Sequence, residues 1–197
     1  MDYNDVSTRL KRIYASIDRQ NKYGGEVLSG MRTEMVKESE TKFKITISFG
    51  GDENDPETLN EIHAVISNLA NLKDCLLEKM TEQNKNKQLI EDDIDQSLPL
   101  QLVLDLNNQE KHGSPLKKFR RSKKDPLFTN VYRAIGPSNK PDGIAYSGSD
   151  GSMALNVMVS LHADITDSKG QHLYSLDQLT NQAIIDWESI IAKHQIA

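Results

Sequence analysis

The sequence predicts an α+β fold, in which a helical bundle core carries an added small antiparallel β-sheet and a C-terminal helix. Apolar residues recur at helical spacing over 56–82 and over 98–112, and each stripe is too large to leave in water. Alternating apolar residues over 153–165 indicate a strand, and a further helical stripe follows over 176–194. Helices that precede a block of strands are typical of the α+β class.

The N-terminal part is predicted to hold one helix and one strand. The helix has a single apolar stripe, ended by Gly24-Gly25. Its members are Val6, Leu10, Ile13, Tyr14 and Ile17. Residues 27–38 fit a short helix or an irregular arm. Alternation at Phe43, Ile45, Ile47 and Phe49 then predicts a half-buried strand.

The helical core is predicted to consist of two long helices and a short one. Asp55 can cap the helix 56–82, and Pro56 suits its first turn. A short acidic helix is expected around 89–94, with Asp92, Asp93 and Asp95 on a solvated face. The helix 98–112 should pack against 56–82, which would bury four residues of the two stripes. These residues are Ile66, Leu69, Leu102 and Leu106.

The C-terminal part is predicted to be rich in strands. Residues 126–136 are strand-like, 139–152 are rich in turns, and a turn at Lys169-Gly170 would let 172–174 pair with the strand 153–165. Ser175 should cap the last helix, with Trp187 in the core. His63, His162 and His194 occupy unremarkable positions: a helix surface or a place inside the helical bundle for His63, a solvated strand face for His162, and a frayed helix end for His194.

We expect 1–197 to form a single integrated domain. It would comprise a helical core at about 56–113, a strand-rich part at about 127–174 and the C-terminal helix 176–194. Cys75 is the only cysteine, so an internal disulfide is excluded, and the pattern places it in a buried helix face. No apolar signal segment or run of membrane-spanning length occurs, which favours a cytoplasmic protein without membrane contact.

Charge is distributed unevenly along the chain. The net charge is −5, but residues 111–124 hold seven of the 24 basic residues and no acid, so the remainder carries 17 basic and 29 acidic residues, a net of −12. One basic stretch on an acidic protein can hold a phosphate chain locally while the rest repels it. The predicted nucleic-acid contacts are Lys111, Lys117, Lys118, Phe119, Arg120, Arg121, Lys123 and Lys124.

Several kinds of active site are excluded by the absence of their motifs. The sequence has no phosphate-binding P-loop, dinucleotide fingerprint, HExxH zinc motif, CxxC pair or nucleophile elbow. A structural zinc site would need more cysteines or closer histidines. We therefore expect no metal and no cofactor.

The segment "DLNNQEKHG", residues 105–113, is the best candidate for chemistry. Asn108 and His112 are four residues apart and share a helix face, with Asn107 beside them. Together with Leu106 and the long helix before it, this segment resembles the HEPN superfamily of all-helical domains over about 56–113. Many members are metal-independent ribonucleases of toxin and defence systems. The resemblance implies that His112 would move the proton of a ribose 2′-hydroxyl or leaving oxygen, while Asn108 would orient the site.

One position departs from the HEPN catalytic pattern, which has arginine where this chain has Asn107. An arginine would stabilise the charge of a pentavalent phosphate, and a neutral amide cannot. We therefore predict a non-catalytic interaction or regulatory protein, whose partner is another protein or a second copy. The alternative is an RNA-binding protein or ribonuclease that uses His112 with the basic loop 117–124. There Lys111 or that loop would replace the arginine, and Phe119 would stack on a base or hold the loop to the core.

Overall fold

The computed structural model describes residues 6–20, 31–37, 43–49, 56–112, 121–137, 144–146, 153–155 and 157–196, and the side chains of 6–14, 56–112, 121–133 and 161–196. The elements in chain order are α1 Val6–Gln20, β1 Met31–Lys37, β2 Phe43–Phe49, α2 Pro56–Ala70, α3 Leu72–Glu82, α4 Gln88–Gln96, α5 Leu98–His112, β3 Leu127–Pro137, β4 Ile144–Tyr146, β5 Met153–Leu155, β6 Val157–Thr166, β7 His172–Ser175 and α6 Leu176–His194. The predicted α+β class is confirmed.

The core lies where α2 packs against α5 and where both meet α6. Ile66, Leu69 and Leu102 are 0% exposed and Leu106 is 1% exposed, so the predicted packing of these two helices is confirmed. Buried residues of α1, α3, α4 and the sheet β3-β6-β7 belong to the same cluster. Cys75 lies in this cluster, as the sequence predicts.

The stretch 56–82 forms two helices and not the single helix predicted. The break falls at Asn71, which lies in a turn and whose N–H bonds Ser67 O at 2.9 Å. Leu69 and Leu72 are both fully buried on either side of it, so the apolar stripe continues across the break. Trp187 Nε1 of α6 donates to Leu69 O at 3.1 Å, next to the break. A partner distant in sequence therefore bonds a carbonyl at the end of α2.

Three groups of strands are described. β3, β6 and β7 form an antiparallel sheet in that order, with a bulge in β3 between Thr129 and Tyr132. β1 pairs with β2, so Met31–Lys37 is a strand and the predicted helix or irregular arm at 27–38 is wrong there. β4 lies inside the stretch 139–152 that was predicted as turns, and it pairs with β5, which lies at the start of the predicted strand 153–165. β1 and β4, which were not predicted as strands, lack a clear alternation of their own, and pairing with a neighbour decides their structure.

The helix α6 begins as predicted. Ser175 Oγ accepts from Gln178 N at 3.3 Å, and Ser175 N donates to Gln178 Oε1 at 3.2 Å, which is a capping box. Gly170 has φ +78° in the preceding turn, which favours glycine. Trp187 is fully buried, also as predicted.

The end of α6 is held firmly, so the predicted frayed end at His194 is wrong. His194 Nε2 lies 2.6 Å from Asp93 Oδ2, and both side chains are only 10% exposed. Lys193 Nζ bonds the other Asp93 oxygen at 2.5 Å. Burial raises the pKa of Asp93, but the hydrogen bonds from Lys193 and His194 outweigh it and hold that pKa below its usual value. Asp93 is therefore a structural residue and does not belong to a solvated face.

Candidate functional site

The three predicted catalytic residues lie on the last two turns of α5 but point in different directions. Asn107 is 4% exposed, and its Oδ1 accepts a hydrogen bond from Ser67 Oγ of α2 at 2.8 Å. Asn108 and His112 are exposed. Five residues on an α-helix correspond to a rotation of about 140°, which explains why Asn107 faces α2 while His112 faces solvent.

The side chains that neighbour these residues on α5 also lie against α2 or in the protein interior. Glu110 Oε2 lies 3.2 Å from His63 Nδ1, although the angle is not that of a hydrogen bond. The His63 ring meets Phe128 edge-on, with 5.3 Å between ring centroids. Gln109 is 7% exposed, and its Nε2 has no hydrogen-bond partner. His63 is thus a packed histidine between α2, α5 and β3.

Asp105 of α5 binds residues 121 and 122, near the end of the basic stretch, and sequence reasoning missed it. Its carboxylate is 2% exposed. Oδ1 accepts Arg121 N at 2.9 Å, while Oδ2 accepts Ser122 N at 2.8 Å and Ser122 Oγ at 2.6 Å. A buried carboxylate with three donors is well satisfied. The signal in the sequence is a single acid within the apolar run "LVLDL", where an unpaired charge would be costly.

Arg121, one of the predicted nucleic-acid contacts, is bound to α4. Its Nη1 lies 2.7 Å from Glu91 Oε2 and its Nε lies 2.6 Å from Asp95 Oδ1. Nη2 donates to the backbone oxygen of Glu91 at 2.7 Å, and Lys73 Nζ lies 2.8 Å from the other carboxylate oxygen, Glu91 Oε1. Burial raises the pKa of Glu91, but the hydrogen bonds from Lys73 and Arg121 outweigh burial and hold that pKa below its usual value. The Arg121 guanidinium is thus bonded to α4 and stabilises the fold.

The other basic residues fall into two groups. Lys111, Lys123 and Lys124 are exposed, as is His112, and no carboxylate of the described residues pairs with these three lysines. Lys117, Lys118, Phe119 and Arg120 lie outside the described residues, so their predicted role stays a prediction. The structure therefore leaves three exposed lysines and one exposed histidine at the two ends of the basic stretch.

Neither a metal site nor a membrane span is found in the part of the chain that the structure describes. There, no three His, Cys, Asp or Glu side chains are grouped in a way that could hold a metal ion. Within the same residues, no helix is both long enough and apolar enough to cross a membrane. Comparison with known proteins adds no relative, because no family model, curated protein or solved structure matches this chain.

Proposed function

We propose that this chain is a non-catalytic interaction protein built on a HEPN-like helical core, with a regulatory role of the kind found in toxin and defence systems. The observation that carries the proposal is the orientation of Asn107. Its amide bonds Ser67 between two core helices, whereas His112 is in solvent. A cation at the position of Asn107 would thus be enclosed by α2 and could not reach a phosphate held by His112.

The surrounding contacts support the same conclusion. Arg121 could have supplied the missing cation, but its three bonds to Glu91 and Asp95 direct it toward α4. Lys111 carries its charge on a flexible side chain and lacks the rigid fork with which arginine binds two phosphate oxygens. No fixed cation of the described residues therefore faces His112, and fixed charge is what a phosphoryl transition state requires.

A ribonuclease assay tests the absence of catalysis. The purified chain, incubated with single-stranded RNA in EDTA, should release no more product than buffer alone. The reason is that no positively charged side chain of the described residues is held in a fixed position facing His112. His112→Ala should give the same result, and His172→Ala serves as a matched control because it removes another exposed histidine. Cleavage that His112→Ala abolishes and His172→Ala preserves would overturn the proposal.

RNA binding is the second candidate, and the exposed lysines favour it. Lys111, Lys123 and Lys124 are exposed beside a stretch that contains no acid, on a chain whose remainder would repel RNA. A protein can bind RNA in this way without cleaving it. Such binding would rest on phosphate contacts and would therefore weaken steeply with salt.

A salt titration tests this second candidate. If the chain binds single-stranded RNA, replacing Lys117, Lys118, Arg120, Lys123 and Lys124 with serine should weaken the binding strongly. In a plot of the logarithm of the binding constant against the logarithm of the salt concentration, each lost phosphate contact should reduce the steepness of the slope by about 0.7. Arg121 is retained because it pairs with Glu91 and Asp95. Lys87→Ser with Lys169→Ser is the control, since both lysines are exposed elsewhere. Affinity that survives the five-site replacement would place the RNA site elsewhere.

A further inference from the structure

A recess of about 510 Å³ opens beside the bulge of β3, where the sheet meets the first turn of α6. Its polar lining comes from three elements: Asn130 and Tyr132 of β3, His162 and Asp164 of β6, and Ser175 and Asp177 at the start of α6. His162 and Asp164 alternate with the buried Leu161, Ala163 and Ile165. They therefore point away from the core.

Two stacked rings form one wall of this recess. Tyr132 and His162 are directly paired across β3 and β6. Their ring centroids are 5.0 Å apart and their planes differ by 8°, so they are stacked. Tyr132 is nevertheless 52% exposed, which leaves much of its ring in contact with water. An exposed aromatic ring held in place by a stacking neighbour can receive a second planar group or a cation.

Two carboxylates give the recess its charge. Asp164 accepts from Asn130 Nδ2 at 2.7 Å and lies 3.4 Å from His172 Nε2, and its side chain is 35% exposed. Asp177 is exposed in the first turn of α6, and no lysine or arginine of the described residues pairs with it. The lining includes no lysine or arginine. The recess therefore attracts cations and repels a phosphate chain.

The bulge shapes this wall. Asn130 lies within it and has φ +51°, a conformation that asparagine tolerates better than most residues. Its amide is bonded to Asp164, so one carboxylate both holds the bulge and lines the recess. Bulges commonly redirect a side chain next to a binding site. Asp177 and Tyr132, in contrast, have no such part in the bulge and are suitable for substitution.

We propose that this recess binds the guanidinium group of an arginine carried by a basic partner protein. A guanidinium is planar and cationic, so it can stack on Tyr132 while its N–H groups donate to Asp177 and Asp164. An ammonium group would make the charge contacts but would not stack as a plane. The net charge of −12 outside 111–124 also favours a basic partner. This inference rests on the proposed interaction function and specifies its partner.

The test is a titration of the ¹⁵N-labelled full-length chain with capped arginine, N-acetyl-arginine N-methylamide, followed by NMR. Saturable shifts should appear at Tyr132, His162 and Asp177. Capped lysine should bind at least about threefold more weakly, since it forfeits the stacking contribution. Capped citrulline, which has the same shape without the charge, should not bind. Equal shifts with citrulline, or shifts confined to other regions, would overturn the proposal.

Two substitutions locate the site. Asp177→Asn should weaken capped-arginine binding about two- to fivefold through loss of one exposed ion pair. Tyr132→Leu should weaken it by a similar factor through loss of the cation–π contact. Asp92→Asn removes another exposed acid, on α4, and should leave affinity unchanged. Unchanged affinity in both recess variants would refute the site. That failure is distinct from failure of the non-catalytic assignment in the proposed function, which the ribonuclease assay tests.

Discussion

Replacing Asp105 with alanine should lower the free energy of unfolding by about 2–5 kcal/mol. The substitution leaves Arg121 N, Ser122 N and Ser122 Oγ without their acceptor, and each buried donor that finds no new partner costs about 1–3 kcal/mol. Part of this cost is recovered if Arg121 N reaches water, because that residue is only half-buried. Urea unfolding monitored by Trp187 fluorescence measures the change.

Two further variants separate the effect of Asp105 from a general loss of charge. Asp105→Asn keeps one carbonyl acceptor and should fall between alanine and the native residue. Asp92→Ala removes an exposed carboxylate from α4 and should change stability by no more than about 0.5 kcal/mol. A loss below about 1 kcal/mol in Asp105→Ala would mean that Asp105 does not hold residues 121–122.

Replacing Trp187 should also have a large effect. Trp187→Ala removes the largest fully buried side chain and should cost about 3–5 kcal/mol. Trp187→Phe keeps most of the apolar volume but leaves Leu69 O without the indole donor, which should cost about 1–3 kcal/mol. Thermal and urea unfolding, followed by circular dichroism because the only tryptophan is lost, measure both.

The neighbouring Ile185 provides the control for Trp187. It lies two residues earlier on the same helix but is 56% exposed, so Ile185→Ala should stay within about 0.5 kcal/mol of the native chain. If Trp187→Phe is as stable as the native chain, the bond to Leu69 O contributes nothing to the stability of the fold.

The sequence predicted those parts of the fold that local patterns determine. The apolar face of α5 follows from spacing along one helix, and the start of α6 follows from Ser175 and the hairpin before it. The break at Asn71 was missed because the apolar stripe runs through it. The strand β1 was missed because its pairing with β2, and not its own pattern, defines it.

The candidate site was predicted less well, because partner choice depends on contacts between distant residues. Asp105 bonds residues 16 and 17 positions away, and His194 meets Asp93 across 101 positions. Spacing along α5 places Asn107 and His112 on different faces, yet only the contact with Ser67 reveals which face is enclosed. Sequence analysis predicts Arg121 as a nucleic-acid contact because its ion pairs with α4 leave no trace in a local sequence pattern.

The position of α6 has a consequence for how the chain folds during synthesis. Trp187 bonds Leu69 across 118 positions, and α6 packs against both α2 and α5. A ribosome that has finished α5 has therefore exposed the apolar faces of 56–112 long before it makes the helix that covers them. Contacts of such separation form late and slowly. We expect the nascent helical core to be the state most exposed to aggregation or chaperone binding until α6 has been released.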